Sequence, residues 1–176
     1  AYATPSKLAE IAKSMDDLDV KVFEQDEIEK MGMGAFLGVA KGSNQPPKFI
    51  HMCYKNTNQN SKFVQKKIAI IGKGICFDSG GLDIKPPSSM LNMKDDMSGA
   101  AAVLGIMSII KDLKPNYEVH GIIAACENMP GSAAFKPGDI LIAKNGKTIE
   151  VDNTDAEGRL TLADALCYAC DLGVDE

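Results

Sequence analysis

An α/β fold, a mixed β-sheet flanked by helices on both faces, is predicted by three features of the sequence. Helical periodicity alternates with short apolar runs over the second half, the pattern of a sheet covered by helices. Ile68-Ala69-Ile70-Ile71 is continuously apolar, as expected of a central strand covered on both faces. Asn145-Gly146 sits between two strand-like segments, Asp139 to Ala143 and Lys147 to Val151, and marks a hairpin.

The elements follow in order. Thr4-Pro5 opens a helix, with Thr4 as N-cap and Pro5 in the first turn. Leu8, Ile11, Ala12 and Met15 form its apolar face. Leu18 to Phe23 alternates and reads as a strand, and Asp26 to Met31 as a short helix ended by Gly32 and Gly34. Ala35 to Ala40 and Phe49 to Tyr54 read as two further strands, joined by the turn-rich segment Gly42 to Pro47. Asn56 to Gln65 is polar and is expected to be an exposed loop. After the run at Ile68, a glycine- and proline-containing loop is expected from Gly72 to about Asp96; loops that long are usually functional. Ser98 to Ile110 reads as a helix, Val119 to Cys126 as a buried strand, and Ala156 to Leu172 as a last helix capped by Gly173.

Composition narrows the function. The 176 residues, 45% hydrophobic and 24% charged, suit one domain with a real core. A net charge of −5 without a basic run argues against a nucleic-acid surface. No apolar stretch reaches the roughly 18 to 20 residues needed to span a bilayer. Residues 1–14 lack the apolar core of a secretory signal. Five scattered cysteines, an odd number, read as reduced thiols in a cytoplasmic setting. Cys167 and Cys170 form a CxxC without a second pair and are expected to be small core residues. His51 and His120 lie in strand-like runs with no partner at metal-ligand spacing, so both read as structural.

The chemistry gathers after strand ends, where α/β sheets bind ligands. Gly72-Lys73-Gly74 suggests a phosphate cradle but fails both the P-loop and the dinucleotide spacing. Asp96 precedes a helix, and Asp155 and Glu157 open another; taken singly, these acids could be a cap and first-turn charges. Together with Asp78 they would place four carboxylates at one edge of a sheet, which repel unless protons or cations intervene. Two divalent ions would balance them, and an oxygen-rich pair about 3.5 to 4 Å apart suits metal-assisted hydrolysis. Zinc, manganese and magnesium all remain open. Lys73 could join as a ligand only as the neutral amine, whereas Lys85 is expected to stay charged and polarise a carbonyl. Arg159, the only arginine in the chain, and the amides opening the last helix form an anion seat.

These residues resemble the leucyl aminopeptidase family of two-metal exopeptidases. Asn153 to Leu160 reads NTDAEGRL, the family signature in full. Gly72-Lys73-Gly74, Phe77 to Gly81, Met93-Lys94 with Asp96-Met97, and Cys126 to Pro130 fit in order and spacing. The likeness spans residues 1–176 as the first half of that family's catalytic domain, without the family's N-terminal domain or the remainder of the catalytic domain, so the chain reads as part of a longer protein. It implies a metal site at the carboxyl ends of central strands. Asp78 and Glu157 would bridge two metals, Lys73 and Asp96 would complete one shell, and Asp155 would bind the other metal. Lys85 would be the electrophile, Arg159 would hold a bicarbonate acting as general base, and Met93 would line the pocket for the first side chain. The resemblance also implies peptide substrates, a leucine-like preference and a homohexamer. A non-catalytic DNA-binding relative is disfavoured by the acidic balance. A purely structural module of a larger assembly is the third reading.

Overall fold

The computed structural model describes residues 2–56 and 66–176. Among the described residues, six α-helices and six strands run in the order α1 (Pro5–Lys13), β1 (Asp19–Phe23), α2 (Gln25–Lys30), α3 (Gly34–Ala40), β2 (Lys48–Tyr54), β3 (Lys67–Asp78), α4 (Pro87–Met90), α5 (Ser98–Leu113), β4 (Glu118–Asn128), β5 (Ile140–Ile142), β6 (Thr148–Glu150) and α6 (Glu157–Asp171). Four strands form one sheet in the order β1-β2-β4-β3, and β5 and β6 form a separate hairpin. β1 with β2 and β2 with β4 are antiparallel, whereas β3 and β4 are parallel and joined through α5. The sheet is mixed, as expected.

Its two faces bury two apolar clusters, and strand alternation sorts residues between them. On one face α1 and α5 pack Leu8, Ala12, Val103 and Met107 against Ile50, Met52, Cys76 and Ile123. On the other, α2, α3, α6 and the hairpin surround Phe49, Ile75, Ile122, Ala124 and Cys126. Thr4 caps α1 by accepting the Lys7 N–H at 3.2 Å. Ile11, expected on the buried face of α1, is exposed, and Ala9 takes that place.

Four other expectations are corrected. Ala35 to Ala40 is not a strand but lies in helix α3, whose apolar run fits either period. Tertiary packing decides it: Ala35, Phe36, Val39 and Ala40 are buried against α6, and Asp164 of α6 accepts the Phe36 N–H at 2.8 Å. The run at Ile68 belongs to β3, the last strand in the sheet order, and is half-buried. Its free edge is met by the final residues: the Asp175 N–H donates to the Lys67 carbonyl and the Ala69 N–H to the Glu176 carbonyl, both at 2.8 Å. β3 also continues to Asp78, so Gly72 to Phe77 is strand rather than loop. Gly72 serves close packing there; a Cβ on it would stand 2.4 Å from the Gly99 carbonyl oxygen of α5. Of the CxxC pair, Cys167 is half-buried and Cys170 exposed, because α6 turns Leu160, Ala165 and Ala169 inward instead. The polar loop expected at 56–65 lies, beyond Asn56, outside the described residues. No described helix is long and apolar enough to cross a membrane.

His51 and His120 are buried, but they are partners rather than isolated core residues. Cross-strand neighbours on β2 and β4, they meet at 2.9 Å between His51 Nε2 and His120 Nδ1, and the Tyr168 hydroxyl lies 3.1 Å from His51 Nδ1. Burial, then His120 and Lys21, lowers His51 to about 4, and burial lowers His120 as well. Unfolding therefore takes up protons below the ordinary histidine range. Stability is fully present above about pH 6.5 and is lost as pH falls towards about 4. For His51 alone the metal-free protein should lose about 2 kcal/mol between about pH 7 and about pH 5. Denaturant titrations at the two pH values check this, and the His51→Gln variant should show a shallower loss.

Candidate metal centre

The site forms where β3, β4, α5 and α6 meet. In β3 the odd-numbered residues Ala69, Ile71, Lys73 and Ile75 share the α6 face. Asp78, an even position, would point away. An irregularity between Ile75 and Asp78 sets three residues of β3 against two of β4 and brings Asp78 opposite Asn128. Such a bulge re-aims a side chain at the cost of one ladder position. Asp78 thereby joins Lys73 on the face that α6 covers.

The turn after β3 holds that aspartate in place. Gly80 and Gly81 adopt φ of +87° and +67°, a region that suits glycine, and the Gly80 N–H donates to Asp78 Oδ1 at 2.9 Å. The Asn128 amide donates to the same oxygen at 2.8 Å and to the Thr154 carbonyl at 3.0 Å. Asn128 thus links the ends of β3 and β4 to the start of α6. Asp83 completes the frame by accepting the Thr154 N–H at 2.6 Å, while the Thr154 hydroxyl donates to the Gly80 carbonyl at 2.6 Å. Neither Asp83 nor Thr154 is among the site residues expected from the sequence. Asn128 and Thr154 lie inside two of the quoted motifs, but no such signal marks Asp83.

The four expected carboxylates converge. Asp78, Asp155 and Glu157 each offer an oxygen within 4.8 Å of the others. Asp96 stands outside this trio but joins it through Lys73, whose Nζ lies 2.7 Å from both Asp96 and Glu157. Asp96 is therefore not the N-cap of α5; it ends a 3-10 turn, Met93–Asp95, and the helix starts at Ser98. Lys85 makes the second bridge, 2.5 Å from Asp155 and 3.2 Å from Asp78. Two ammonium groups thus face four carboxylates, which leaves a deficit of positive charge.

Titration follows from that deficit. Burial raises Glu157 and Asp96 above the usual carboxylate range; Lys73 opposes this shift and the charge of Asp78 reinforces it. Burial works against the charge of Lys73 and Lys85, yet their carboxylate partners prevail and hold both above the ordinary lysine value. In this state Lys73 is an ammonium ion, not the neutral amine that coordination requires. Glu157 is 1% exposed, and among the described residues neither of its oxygens has a hydrogen bond of good geometry, Oε1 having only the ion pair with Lys73. Buried acceptors in that condition fit a cation. Mixed oxygen donors with one amine suit zinc, manganese or magnesium alike.

Arg159 is exposed on the first turn of α6 and lines a groove with Val151, Asp152 and Asn153. Met93 is half-buried at the start of the 3-10 turn.

Gly158 gives a local test of the packing around Lys73. A Cβ there would lie 2.8 Å from Lys73 Cε and 3.1 Å from its Nζ. The lysine end can swing aside, so Gly158→Ala should leave the melting temperature nearly unchanged while weakening metal binding about tenfold or more. Calorimetric Mn2+ titration beside a thermal melt measures both.

Residues 1–175 match the model of the cytosol aminopeptidase family, catalytic domain. Proteins called probable cytosol aminopeptidase are similar to this chain: that of Persephonella marina is 59% identical over 175 residues, covering 98% of the chain and 34% of that relative. That of Gloeobacter violaceus is 56% identical over 177 residues, 99% of the chain and 34% of the relative. That of Aquifex aeolicus is 54% identical over 175 residues, 98% and 35%. The chain spans about a third of the length of these curated relatives. With residues 1–175 of the chain matched by the catalytic-domain model and the acidic site assembled at its sheet edge, the chain belongs to the cytosol aminopeptidase family.

Proposed function

We propose that this chain is the first half of a metal-dependent aminopeptidase's catalytic domain, acting on peptides to remove an N-terminal residue with a leucine-like preference. The observation that carries the reading is the convergent trio of buried Asp78 and Glu157 with half-buried Asp155, in which Glu157 has only the Lys73 ion pair among the described residues. Lys73, Asp78, Asp96, Asp155 and Glu157 would hold two divalent ions, zinc first, with manganese or magnesium as alternatives. When bound, such a pair supplies Lewis acidity and lowers the pKa of water at the site.

The chain's own side chains do the rest. Asn128 and Gly80 fix the Asp78 carboxylate through Oδ1, so its other oxygen, beside Lys85, is aimed without reorganisation. Lys85, anchored between Asp78 and Asp155, keeps its positive charge and would donate to the carbonyl oxygen of the scissile bond. Arg159 would hold a bicarbonate anion, and Met93 would line the pocket for the first side chain. The intact protein would work in the cytoplasm as a homohexamer.

Mn2+ uptake by the purified chain, together with hydrolysis of a leucine anilide by the full-length polypeptide, tests the proposal. The expected result is two Mn2+ per chain and turnover that a chelator abolishes and added metal restores. Absence of both uptake and metal-dependent turnover would sink it.

A further inference from the structure

At the opposite end of the sheet from the carboxylates, Cys53, Glu118 and His120 form a second convergent group. Cys53 on β2 is paired in register with His120 on β4, and Glu118 lies two residues before His120 on the same face. One ligand atom from each lies within 4.8 Å of the others. The Cys53 Sγ is 3.9 Å, and the His120 Nε2 3.2 Å, from Glu118 Oε1. Cys53 and His120 are buried and Glu118 is half-buried.

From these residues we propose a thiolate-imidazole-carboxylate site for a borderline divalent metal, zinc above all, that fastens β2 to β4. Three observations carry it. His120 is 4% exposed, yet among the described residues its Nε2 has no hydrogen bond of good geometry, although it lies 3.2 Å from Glu118 Oε1. Sulfur, nitrogen and oxygen together select zinc or cobalt over magnesium or calcium, unlike the carboxylate cluster. The other face of the imidazole is already supported: His120 Nδ1 meets His51 Nε2, and His51 Nδ1 meets the Tyr168 hydroxyl. A ligating histidine commonly donates its remaining N–H to such a partner.

Proton positions balance without a further reactant. With a proton on His120 Nε2 facing Glu118, the metal-free chain would have Tyr168 donating to His51 and His51 to His120. On binding, His120 and His51 both change tautomer, so that His120 donates to His51 and His51 to Tyr168. Nε2 is then free to coordinate, and the Cys53 thiol proton leaves to solvent. Lys55, 3.5 Å from Glu118 with its side chain 60% exposed, gives up that ion pair. Three protein ligands leave the fourth tetrahedral position to water.

The two sites can be read separately. His120 and Asn128 stand eight positions apart on β4, roughly 26 Å of strand. The carboxylate cluster contains no sulfur, so a thiolate-to-Co2+ charge-transfer band in the near ultraviolet reports only a cysteine site. Titrating the full chain with Co2+ should give that band and one metal equivalent beyond the carboxylate cluster. Cys53→Ser and His120→Gln should each abolish band and extra equivalent, while a Cys167→Ser/Cys170→Ser double variant keeps both. No band in the unsubstituted protein at saturating Co2+ overturns the proposal, whatever the variants' folding. So does a band that persists in Cys53→Ser or disappears in the double variant.

Discussion

Replacing Glu157 with glutamine is expected to weaken Mn2+ binding at the carboxylate cluster at least about a hundredfold while leaving the metal-free fold as stable as before. The two halves of this expectation share one cause. Glu157 is 1% exposed, and burial raises its pKa, so its charge is costly in the absence of metal. Glutamine keeps the shape and one carbonyl oxygen towards Lys73, and Lys73 retains Asp96 at 2.7 Å. Removing the charge therefore relieves a desolvation cost that offsets the lost ion pair. A dication meets the opposite balance, losing an anionic oxygen for a weak amide donor. Calorimetric titration with Mn2+ measures the affinity, and melting of chelated protein measures the stability. An unchanged affinity would remove Glu157 from the metal site. A collapse of both quantities would show a structural residue instead.

Much of this centre was legible in the chain. Asp155 and Glu157 stand two apart at a strand-to-helix junction, and Asp78 and Asp96 follow strand and loop signals; their charges converge because the parallel β3–β4 pair brings both strand ends to one edge. What escaped is the machinery that aims them. The irregularity between Ile75 and Asp78 leaves no mark in the alternation, since Phe77-Asp78 reads equally well as a loop start. Asp83 holds Thr154 through contacts 71 residues apart, which no local pattern encodes. The same limit explains α3: Gly34 to Ala40 is apolar throughout, and only the long-range acceptor Asp164 and the facing helix α6 make it helical. The contact between His51 and His120, both structural on the sequence reading, is a register fact of β2 against β4. Spacing along one strand cannot reveal it.

That long-range acceptor is where the largest loss of stability is expected. Asp164 is fully buried on α6; its Oδ2 accepts the Phe36 N–H at 2.8 Å and its Oδ1 accepts the Lys144 N–H at 2.7 Å. One carboxylate thereby caps the start of α3, which has no side-chain cap of its own, and ties the β5–β6 hairpin to α6. Asp164→Ala would strand both donors, one fully and one partly buried, for a loss of about 3 to 4 kcal/mol. Asparagine keeps one acceptor but turns an amide donor towards the other N–H. It also sheds the charge that burial disfavours, which raises the Asp164 pKa against the backbone donors. Its loss should be about half as large. Denaturant midpoints at unchanged slope measure both variants. Asp164 lies two helical turns beyond Glu157, roughly 10 Å along α6. The cluster's own frame, Asn128 with Asp78 and Asp83 with Thr154, does not pass through it. Under conditions where Asp164→Ala is still folded, its Mn2+ affinity should stay within about twofold of the unsubstituted chain, since distant sites without shared partners act independently. A parallel fall in affinity would mean that α3 and the hairpin help to position the first turn of α6, and that the metal centre depends on more than its immediate frame.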